Sequence, residues 1–159
     1  MDQISEPTAE LHIDVDASPD DVWPVVADVT RIPEWSPVCH RCEWIDGSSG
    51  PAVGARFRGY NKLNGARWTR DCEVTALEPG QLFAFSTRFK GQESTRWRYR
   101  LEPTATGTRI HEGYEVVLIP RWIRFLRRLP GAMAKTERDT QENIGTSLQR
   151  LKAIVERRS

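Results

Sequence analysis

The stretch that decides the fold is RFRGYNKLNGARWTRDC, residues Arg56–Cys72. At its centre, Asn64–Gly65 is the pair that a two-residue type I′ turn favours, because both central positions of that turn need a positive φ. The turn predicts an antiparallel hairpin with Leu63 opposite Ala66, and the register follows outward from this pair. One face of the hairpin then pairs Asn61 with Trp68, Gly59 with Arg70 and Phe57 with Cys72.

The other face of the hairpin carries two pairs of opposite charge, Arg58 with Asp71 and Arg56 with Glu73. Such pairs are favourable in water when they lie directly across an antiparallel ladder, so this is the predicted solvent face. The face that holds Trp68 is then the interior one. An interior surface with asparagine and arginine beside tryptophan predicts a cavity for a ligand.

Composition limits the class of protein. The 159 residues are 38% hydrophobic and 28% charged, which predicts one globular domain over residues 1–159. The net charge of +1 argues against a nucleic-acid partner. No run reaches the roughly 18 apolar residues of a membrane span, and the N-terminus does not read as a signal peptide. Three cysteines form no disulfide framework, so we expect a cytoplasmic protein.

The chain alternates short elements in a recognisable order. Leu11, Ile13 and Val15 alternate with polar residues as in a half-buried strand, and Ser18 followed by Pro19 predicts the start of a helix that runs to about Val29. Six further strands are predicted at Val38–Trp44, Arg56–Leu63, Ala66–Leu77, Leu82–Arg88, Glu93–Leu101 and Thr108–Val117.

A long helix is predicted at the C-terminal end of the chain. Ile144, Leu148, Leu151 and Val155 recur at i, i+4, i+7 and i+11, which places them in one stripe. An antiparallel sheet with one apolar face must be covered, and this helix is the only predicted element long enough to cover it.

The sequence resembles the START-like helix-grip superfamily, which includes polyketide cyclase/dehydrase proteins, coenzyme Q-binding proteins and plant pollen allergens. The resemblance implies an α+β fold in which a curved seven-stranded antiparallel sheet wraps around the long C-terminal helix. It also implies an internal, mostly apolar cavity for a hydrophobic small molecule, but it implies no particular reaction. The residues that carry it are Ser18–Trp23, Trp35–Pro37, Gly54–Asn61, Glu78–Gly80, Phe83–Phe85, Arg96–Pro103 and Gly107–Arg109.

Strand alternation extends the predicted cavity lining. The inward set includes Glu112, whose pKa burial would raise unless a cation such as Arg70 pairs with it. A structural ion pair and a ligand-anchoring or acid–base role are both open for this carboxylate. Polar residues of the last helix, Thr140 and Gln141, continue the apolar stripe toward the cavity, where they would contact polar atoms of a ligand; the alternative is that these first turns overhang the sheet into solvent. The complete predicted ligand-binding set is Trp35, Phe57, Asn61, Trp68, Arg70, Phe85, Thr95, Trp97, Tyr99, Glu112, Tyr114, Thr140 and Gln141.

The same alternation places Arg96, Arg98 and Arg100 on the outer face of the sheet. We expect them to be solvated and to pair with acids of neighbouring strands such as Asp71 and Glu73. The alternative is an anion-binding stripe.

Two further motifs have competing interpretations. Trp122–Leu129 has apolar side chains on one face and arginines mostly on the other, which suits either a lid over the cavity or transient membrane contact. Cys39–Cys42 is a C-x-x-C pair, but no second paired ligand motif accompanies it, so no metal site is predicted. No phosphate loop or hydrolase motif is present, and no cofactor is predicted.

The leading functional hypothesis is a protein that binds a lipid, isoprenoid or polyketide-like molecule. The rival is an aromatase/cyclase or dehydratase in which Glu112 removes a proton next to a carbonyl and Arg70 or Asn61 stabilises the enolate. A third hypothesis is a protein-interaction module that uses the outer arginines or Trp122–Leu129. The oligomeric state is left open.

Overall fold

Seven strands and three α-helices make up the part of the chain that the computed structural model describes, residues 9–117 and 132–157. The helices are α1 (Pro19–Val26), α2 (Ile32–Trp35) and α3 (Ala132–Glu156), and a 3₁₀ turn covers Val29–Arg31. The strands are β1 (Ala9–Val15), β2 (Cys39–Ile45), β3 (Arg56–Leu63), β4 (Ala66–Glu78), β5 (Leu82–Phe89), β6 (Gln92–Pro103) and β7 (Thr108–Val116).

The strands form one antiparallel sheet in the order β1-β7-β6-β5-β4-β3-β2. Strands 2 to 7 are a meander, and β1 pairs with the last of them. The register shifts by bulges in the β2–β3, β4–β5 and β5–β6 pairs, and bulges increase the local twist of a strand. The predicted α+β helix-grip fold, a curved seven-stranded antiparallel sheet with a long C-terminal helix, is confirmed.

The central hairpin has the predicted register throughout. Asn64 and Gly65 both have a positive φ, 50° and 82°, as a type I′ turn requires. Leu63 lies opposite Ala66, and the pairing continues without a shift to Arg56 opposite Glu73. The turn therefore decides which side chains of β3 and β4 face the interior.

The first helix is shorter than predicted. The Ser18 side chain accepts a hydrogen bond from the Asp21 backbone N–H at 3.2 Å, which confirms the predicted N-cap. The helix ends at Val26, two residues after Pro24, instead of continuing to Val29. A separate 3₁₀ turn follows, and the Asp28 side chain caps it by accepting a hydrogen bond from the Thr30 backbone N–H at 3.0 Å.

The predicted apolar stripe of α3 is buried. Ile144, Leu148, Leu151 and Val155 are each at most 2% exposed. The helix packs mainly against β1 and α2, and it joins the aromatic core that the inner face of the sheet provides.

The outer face of the sheet carries many ion pairs, but several of its arginines pair with acids other than those predicted. Arg58 and Asp71 pair as expected, with 2.6 Å between Nε and Oδ1. Arg56 instead pairs with Asp46, with 3.0 Å between Nη1 and Oδ2. Glu73 pairs with Arg88 of the next strand.

The three outer arginines of β6 are exposed as predicted, yet their partners are not Asp71 and Glu73. Arg96 contacts Glu93 and Glu115, and Arg98 and Arg100 contact Glu10 of β1. Glu10 lies two strands from β6, as the acids of β4 do, but the residue between it and Arg98 on β7 is Gly113, which has no side chain, so Arg98 reaches across β7 to Glu10. Each of these arginines therefore lies beside a carboxylate of the sheet, with Glu10 shared between Arg98 and Arg100.

Trp122–Leu129, predicted as a lid or membrane-contact helix, lies outside the described residues. Among the helices that the structure describes, none is long and apolar enough to cross a membrane.

Candidate functional site

A cavity of about 390 Å³ lies between the inner face of the sheet and the N-terminal half of α3. This volume is near the lower end of the range for small-molecule sites, roughly 300–1,000 Å³. The lining residues are Ile32, Ser36, Pro37, Val38, Cys39, Cys42, Phe57, Gly59, Asn61, Leu63, Trp68, Arg70, Cys72, Phe85, Thr87, Ser94, Thr95, Trp97, Tyr99, Glu112, Tyr114, Thr140, Asn143, Ile144 and Ser147.

Most of the side chains predicted to bind a ligand meet in this cavity. Two do not line it. Trp35 is fully buried behind the lining, where its indole Nε1 donates to the Tyr99 hydroxyl at 3.4 Å. Gln141 is exposed. The predicted residues in the lining are Phe57, Asn61, Trp68, Arg70, Phe85, Thr95, Trp97, Tyr99, Glu112, Tyr114 and Thr140.

Aromatic rings form much of the sheet side of the cavity. Phe57 and Phe85 meet edge to face with ring centres 5.0 Å apart. Trp97 and Tyr114, which lie opposite each other on β6 and β7, have ring centres 4.6 Å apart. Such pairs hold large apolar surfaces in fixed orientations, so the wall is suited to a flat or hydrophobic molecule.

Among the lining residues that the structure describes, Glu112 is the one carboxylate, and it is 3% exposed. Its Oε1 accepts a hydrogen bond from the Tyr99 hydroxyl at 3.0 Å, and that hydroxyl accepts one from Trp35. The second oxygen, Oε2, is buried with no hydrogen-bond partner among the described residues. A buried polar atom without a partner is costly, so this oxygen marks a position where a ligand atom could bond.

Burial controls the protonation of this group. Desolvation raises the pKa of Glu112 to about 8, and the Tyr99 hydrogen bond only partly opposes this. Burial, together with the negative charge of Glu112, also raises the pKa of Tyr99. Near neutral pH the carboxyl is mainly neutral, so Oε2 can donate to a carbonyl oxygen. After ionisation the same atom can accept from a hydroxyl.

Arg70 does not pair with Glu112, so the ion pair that the sequence left open as one alternative does not form. Its guanidinium donates to the Thr69 carbonyl at 3.0 Å and lies over the Phe89 ring, 5.1 Å from the ring centre. Arg70 belongs to the end of the cavity near the β3–β4 turn, whereas Glu112 is in the middle of β7. Strand alternation gives the face on which a residue lies, but not its distance from a residue on a distant strand.

All three cysteines line the cavity. In a regular strand Cys39 and Cys42 would face opposite sides, but the bulge between Cys39 and Arg41 brings both thiols inward. A hydrogen bond from Cys42 lowers the pKa of Cys39. The same hydrogen bond and burial raise the pKa of Cys42. Within the described ranges, no group of three or more His, Cys, Asp or Glu side chains is arranged to hold a metal ion.

Most of the lining that lies outside the predicted set falls in two groups, one on α3 and one around the start of β2; single residues of β3 to β6 complete it. On α3 the cavity-facing row is Thr140, Asn143, Ile144 and Ser147, which is rotated from the row through Gln141. The i, i+3, i+4, i+7 spacing of these four residues is a signal that could have identified them. The second group follows the proline-rich turn into β2 and comprises Ile32, Ser36, Pro37, Val38, Cys39 and Cys42.

Comparison with known proteins agrees with this architecture. The model of the family described as polyketide cyclase / dehydrase and lipid transport matches residues 6–156. The chain belongs to this family. The match spans both the sheet and α3, the two elements that enclose the cavity. No curated protein matches the sequence.

Among solved structures, one similar protein has more than 30% sequence identity to this chain. The polyketide cyclase-like protein Cgl2372 from Corynebacterium glutamicum is 32% identical, and the alignment covers 94% of this chain and 89% of that one with a TM-score of 0.57. MLL2253 from Mesorhizobium loti is 19% identical over 96% of this chain and 99% of that one, with a TM-score of 0.66. The Zhui aromatase/cyclase from Streptomyces sp. R1128 is 18% identical over 96% and 94% of the chains, with a TM-score of 0.67. At this identity the last two share the fold alone.

Proposed function

We propose that this protein binds a hydrophobic or amphipathic small molecule, of lipid, isoprenoid or polyketide type, in the cavity between the sheet and α3. The observation that carries the proposal is the buried Glu112 carboxyl, whose Oε2 has no hydrogen-bond partner among the described residues of an otherwise largely aromatic cavity. A ligand with one polar atom would satisfy this oxygen while its apolar body fills the space between the rings.

A purely structural role for Glu112 would require a fixed partner for each oxygen. Buried charges are usually retained when a cation or several donors satisfy them. Here Tyr99 satisfies Oε1, and none of the described cations forms an ion pair with Glu112. The absence of such a pair in the described part of the chain favours a ligand-anchoring role.

The comparisons support this chemical class. The family is described by polyketide cyclisation or dehydration and by lipid transport, and both concern hydrophobic small molecules. The structural neighbours include two aromatase/cyclases, Zhui and the di-domain StfQ of the steffimycin pathway. StfQ aligns over 95% of this chain and 51% of its own, at 19% identity and a TM-score of 0.75.

Catalysis is the second candidate function, and one observation favours it. A carboxyl with a pKa of about 8 can give or take a proton near neutral pH, which is what a general acid or base requires. In that case Glu112 would remove a proton next to a carbonyl of a polyketide-like substrate, and Asn61 would be the candidate donor to the enolate oxygen. Arg70, the other residue predicted for that role, makes no contact with Glu112.

Native mass spectrometry of the freshly purified protein tests the binding function. We expect a small mass that remains with the folded protein and is lost on denaturation. Glu112→Gln should reduce its occupancy, because the amide cannot reproduce both protonation states of the carboxyl. Glu115→Gln is the matched control, since Glu115 lies on the same strand but on the outer face beside Arg96.

A protein that carries no small mass, and shows no mass shift with a mixture of fatty acids, isoprenoid alcohols and aromatic polyketides, would contradict the proposal. The same spectra separate binding from catalysis. If Glu112→Gln retains the ligand but no longer converts it, for example by loss of one water, the enzymatic function is supported. If conversion continues in Glu112→Gln, the role of this residue as acid or base is wrong.

A further inference from the structure

The tips of two neighbouring hairpins form an exposed surface beside the cavity. We call it the tip patch, and it consists of Lys62, Leu63, Arg67, Phe89 and Lys90. The first three residues belong to the β3–β4 hairpin and the last two to the β5–β6 hairpin. The tips are adjacent because β4 and β5 pair in the sheet.

The apolar side chains of the tip patch are unusually exposed. Leu63 is 39% exposed and Phe89 is 38% exposed. Val117, which continues β7 toward the same end of the sheet, is 39% exposed. Of the four exposed large hydrophobic side chains in the described ranges, only Val53 lies elsewhere, before the first residue of β3. Single exposed hydrophobic residues are ordinary, but their concentration at one end is not.

All formal charges of the two tips are positive. Residues 61–68 and 89–92 contain Lys62, Arg67 and Lys90 but no aspartate or glutamate. Lys62 and Arg67 lie directly opposite each other in the ladder, where like charges repel. Farther from the tip, the same face has the complementary pair Arg58 and Asp71. On this face of the hairpin, the like-charged pair is at the tip and the ion pair is farther away. An anionic surface at the tip would reduce the repulsion between Lys62 and Arg67.

Two cations lie over the Phe89 ring, and one of them, Arg70, comes from the neighbouring hairpin. The Arg70 guanidinium lies 5.1 Å from the ring centre and the Lys90 ammonium lies 5.4 Å from it. Arg70 thereby connects β4 to the end of β5. Leu63 lies on the inner face of its hairpin and Lys62 and Arg67 on the outer face, so a surface that meets the sheet end-on contacts both the apolar and the basic side chains.

The cavity reaches the surface at this end. Leu63 lines the cavity and is also substantially exposed. Trp68 and Ser94, which begin the cavity-lining parts of β4 and β6, lie close to the same two turns. A surface that binds here would therefore face the cavity opening.

We propose that the tip patch docks this protein on anionic lipid membranes, with Leu63 and Phe89 in the interface and Lys62, Arg67 and Lys90 against the headgroups. Apolar insertion combined with cation attraction is the pattern by which peripheral proteins bind anionic bilayers. A protein partner fits less well, because the centres of protein interfaces are depleted of charge and especially of lysine. This inference concerns the outer surface and does not depend on which molecule the cavity holds.

Co-sedimentation with vesicles tests the proposal. The full-length protein would be mixed with phosphatidylcholine vesicles and with vesicles in which about one third of the lipid is phosphatidylserine. We expect binding to the anionic vesicles, weaker binding to phosphatidylcholine alone, and release as the salt concentration rises. No binding to anionic vesicles at low salt would overturn the proposal and leave a protein partner as the occupant of the patch.

Two variants locate the binding surface. Lys62→Glu with Arg67→Glu should weaken binding by roughly 25-fold or more, because each cation near an anionic bilayer contributes a factor of about five. The matched control is Arg138→Glu with Arg150→Glu, which makes the same change in net charge on exposed positions of α3. Equal losses in the two double variants would overturn the proposal, because net charge would then explain the binding.

A second pair of variants tests how much the apolar side chains contribute to vesicle binding. Phe89→Ser should weaken vesicle binding by roughly fivefold or more, whereas Val53→Ser should not, although Val53 is the more exposed side chain at 66%. Circular dichroism of each variant checks that it is folded. Because Phe89 is outside the cavity lining, the native mass spectrum of Phe89→Ser should keep any bound small molecule. A failure of cavity binding would therefore be seen separately from a failure of membrane docking.

Discussion

At the scale of single residues, the surroundings of a side chain decide its chemistry. Glu112 points inward, as strand alternation predicts, but Tyr99 and not Arg70 is its partner. A phenol stabilises a carboxylate less than a guanidinium does, and burial therefore dominates the pKa of Glu112. The same residue in an ion pair with Arg70 would be ionised at all physiological pH values.

Cys39 offers a residue-scale prediction. It is half-buried in the cavity lining, and the hydrogen bond from Cys42 lowers its pKa. Cys42 and Cys72 are buried, with pKa values raised above the usual range. Because the thiolate is the reactive form, iodoacetamide should alkylate Cys39 first in the native protein. Peptide mapping by mass spectrometry after short exposures measures the order.

The variant Cys42→Ala checks the cause of that order. Removal of the thiol donor should slow the alkylation of Cys39, while Cys72→Ala should change it less. If all three cysteines react at one rate, local unfolding and not the cavity environment controls their reactivity.

At the scale of elements, turn chemistry and side-chain periodicity specify local geometry. The Asn64–Gly65 turn sets the register of the eight cross-strand pairs of β3 and β4, from Leu63 opposite Ala66 to Arg56 opposite Glu73, without any tertiary information. The helix stripe through Ile144 identifies the face of α3 that is buried. The stripe does not reveal which neighbouring row of α3 side chains faces the cavity, because that depends on the angle at which the helix crosses the sheet.

Two glycine substitutions should have opposite effects on the free energy of unfolding. Gly65 has φ of 82°, and an added Cβ would meet no atom within 4 Å, so Gly65→Ala costs conformational energy alone, about 1–2 kcal/mol. Gly145 lies within α3 and also has open space, so Gly145→Ala should stabilise the protein by roughly 0.5–1 kcal/mol. Urea denaturation followed by circular dichroism measures both.

Each substitution is the control for the other, because both add one methyl group at an uncrowded position and differ only in the backbone conformation of the glycine. If Gly65→Ala were neutral, the hairpin could not depend on a positive φ at this position. If Gly145→Ala were destabilising, α3 would not be a regular helix there.

At the scale of the whole molecule, packing between the sheet and α3 creates the cavity and buries Glu112. The lining comes from α2, strands β2 to β7 and α3, which are distant in the sequence. Only their assembly removes water from this carboxyl. The perturbed pKa of Glu112 is therefore a property of the complete fold.

The pH dependence of stability follows from this burial. The pKa of Glu112 is about 8 in the folded protein and about 4.5 in the unfolded chain, so between these values the unfolded chain binds fewer protons. The stabilisation that the neutral Glu112 carboxyl gives the folded protein is fully present below about pH 4.5 and is lost as the pH rises through about 8. We expect a loss on the order of a few kcal/mol across this range.

Urea denaturation at about pH 5 and pH 8 measures this loss. Glu112→Gln should remove it, since glutamine does not titrate, whereas Glu115→Gln should keep it. Identical pH profiles for the original protein and Glu112→Gln would show that Glu112 is not buried as a neutral acid in solution.

The sequence alone determined the order of elements, the β3–β4 register, the α3 core stripe and much of the sheet side of the cavity lining. These features depend on turn conformations and on alternation within one strand or helix, which neighbouring residues encode. Tertiary structure alone decided that Arg70 lies far from Glu112, that a bulge turns Cys39 and Cys42 to one side, and that Asn143 and Ser147 face the cavity. Each of these depends on the distance or rotation between separate elements, and close packing sets those quantities only when the whole chain has folded.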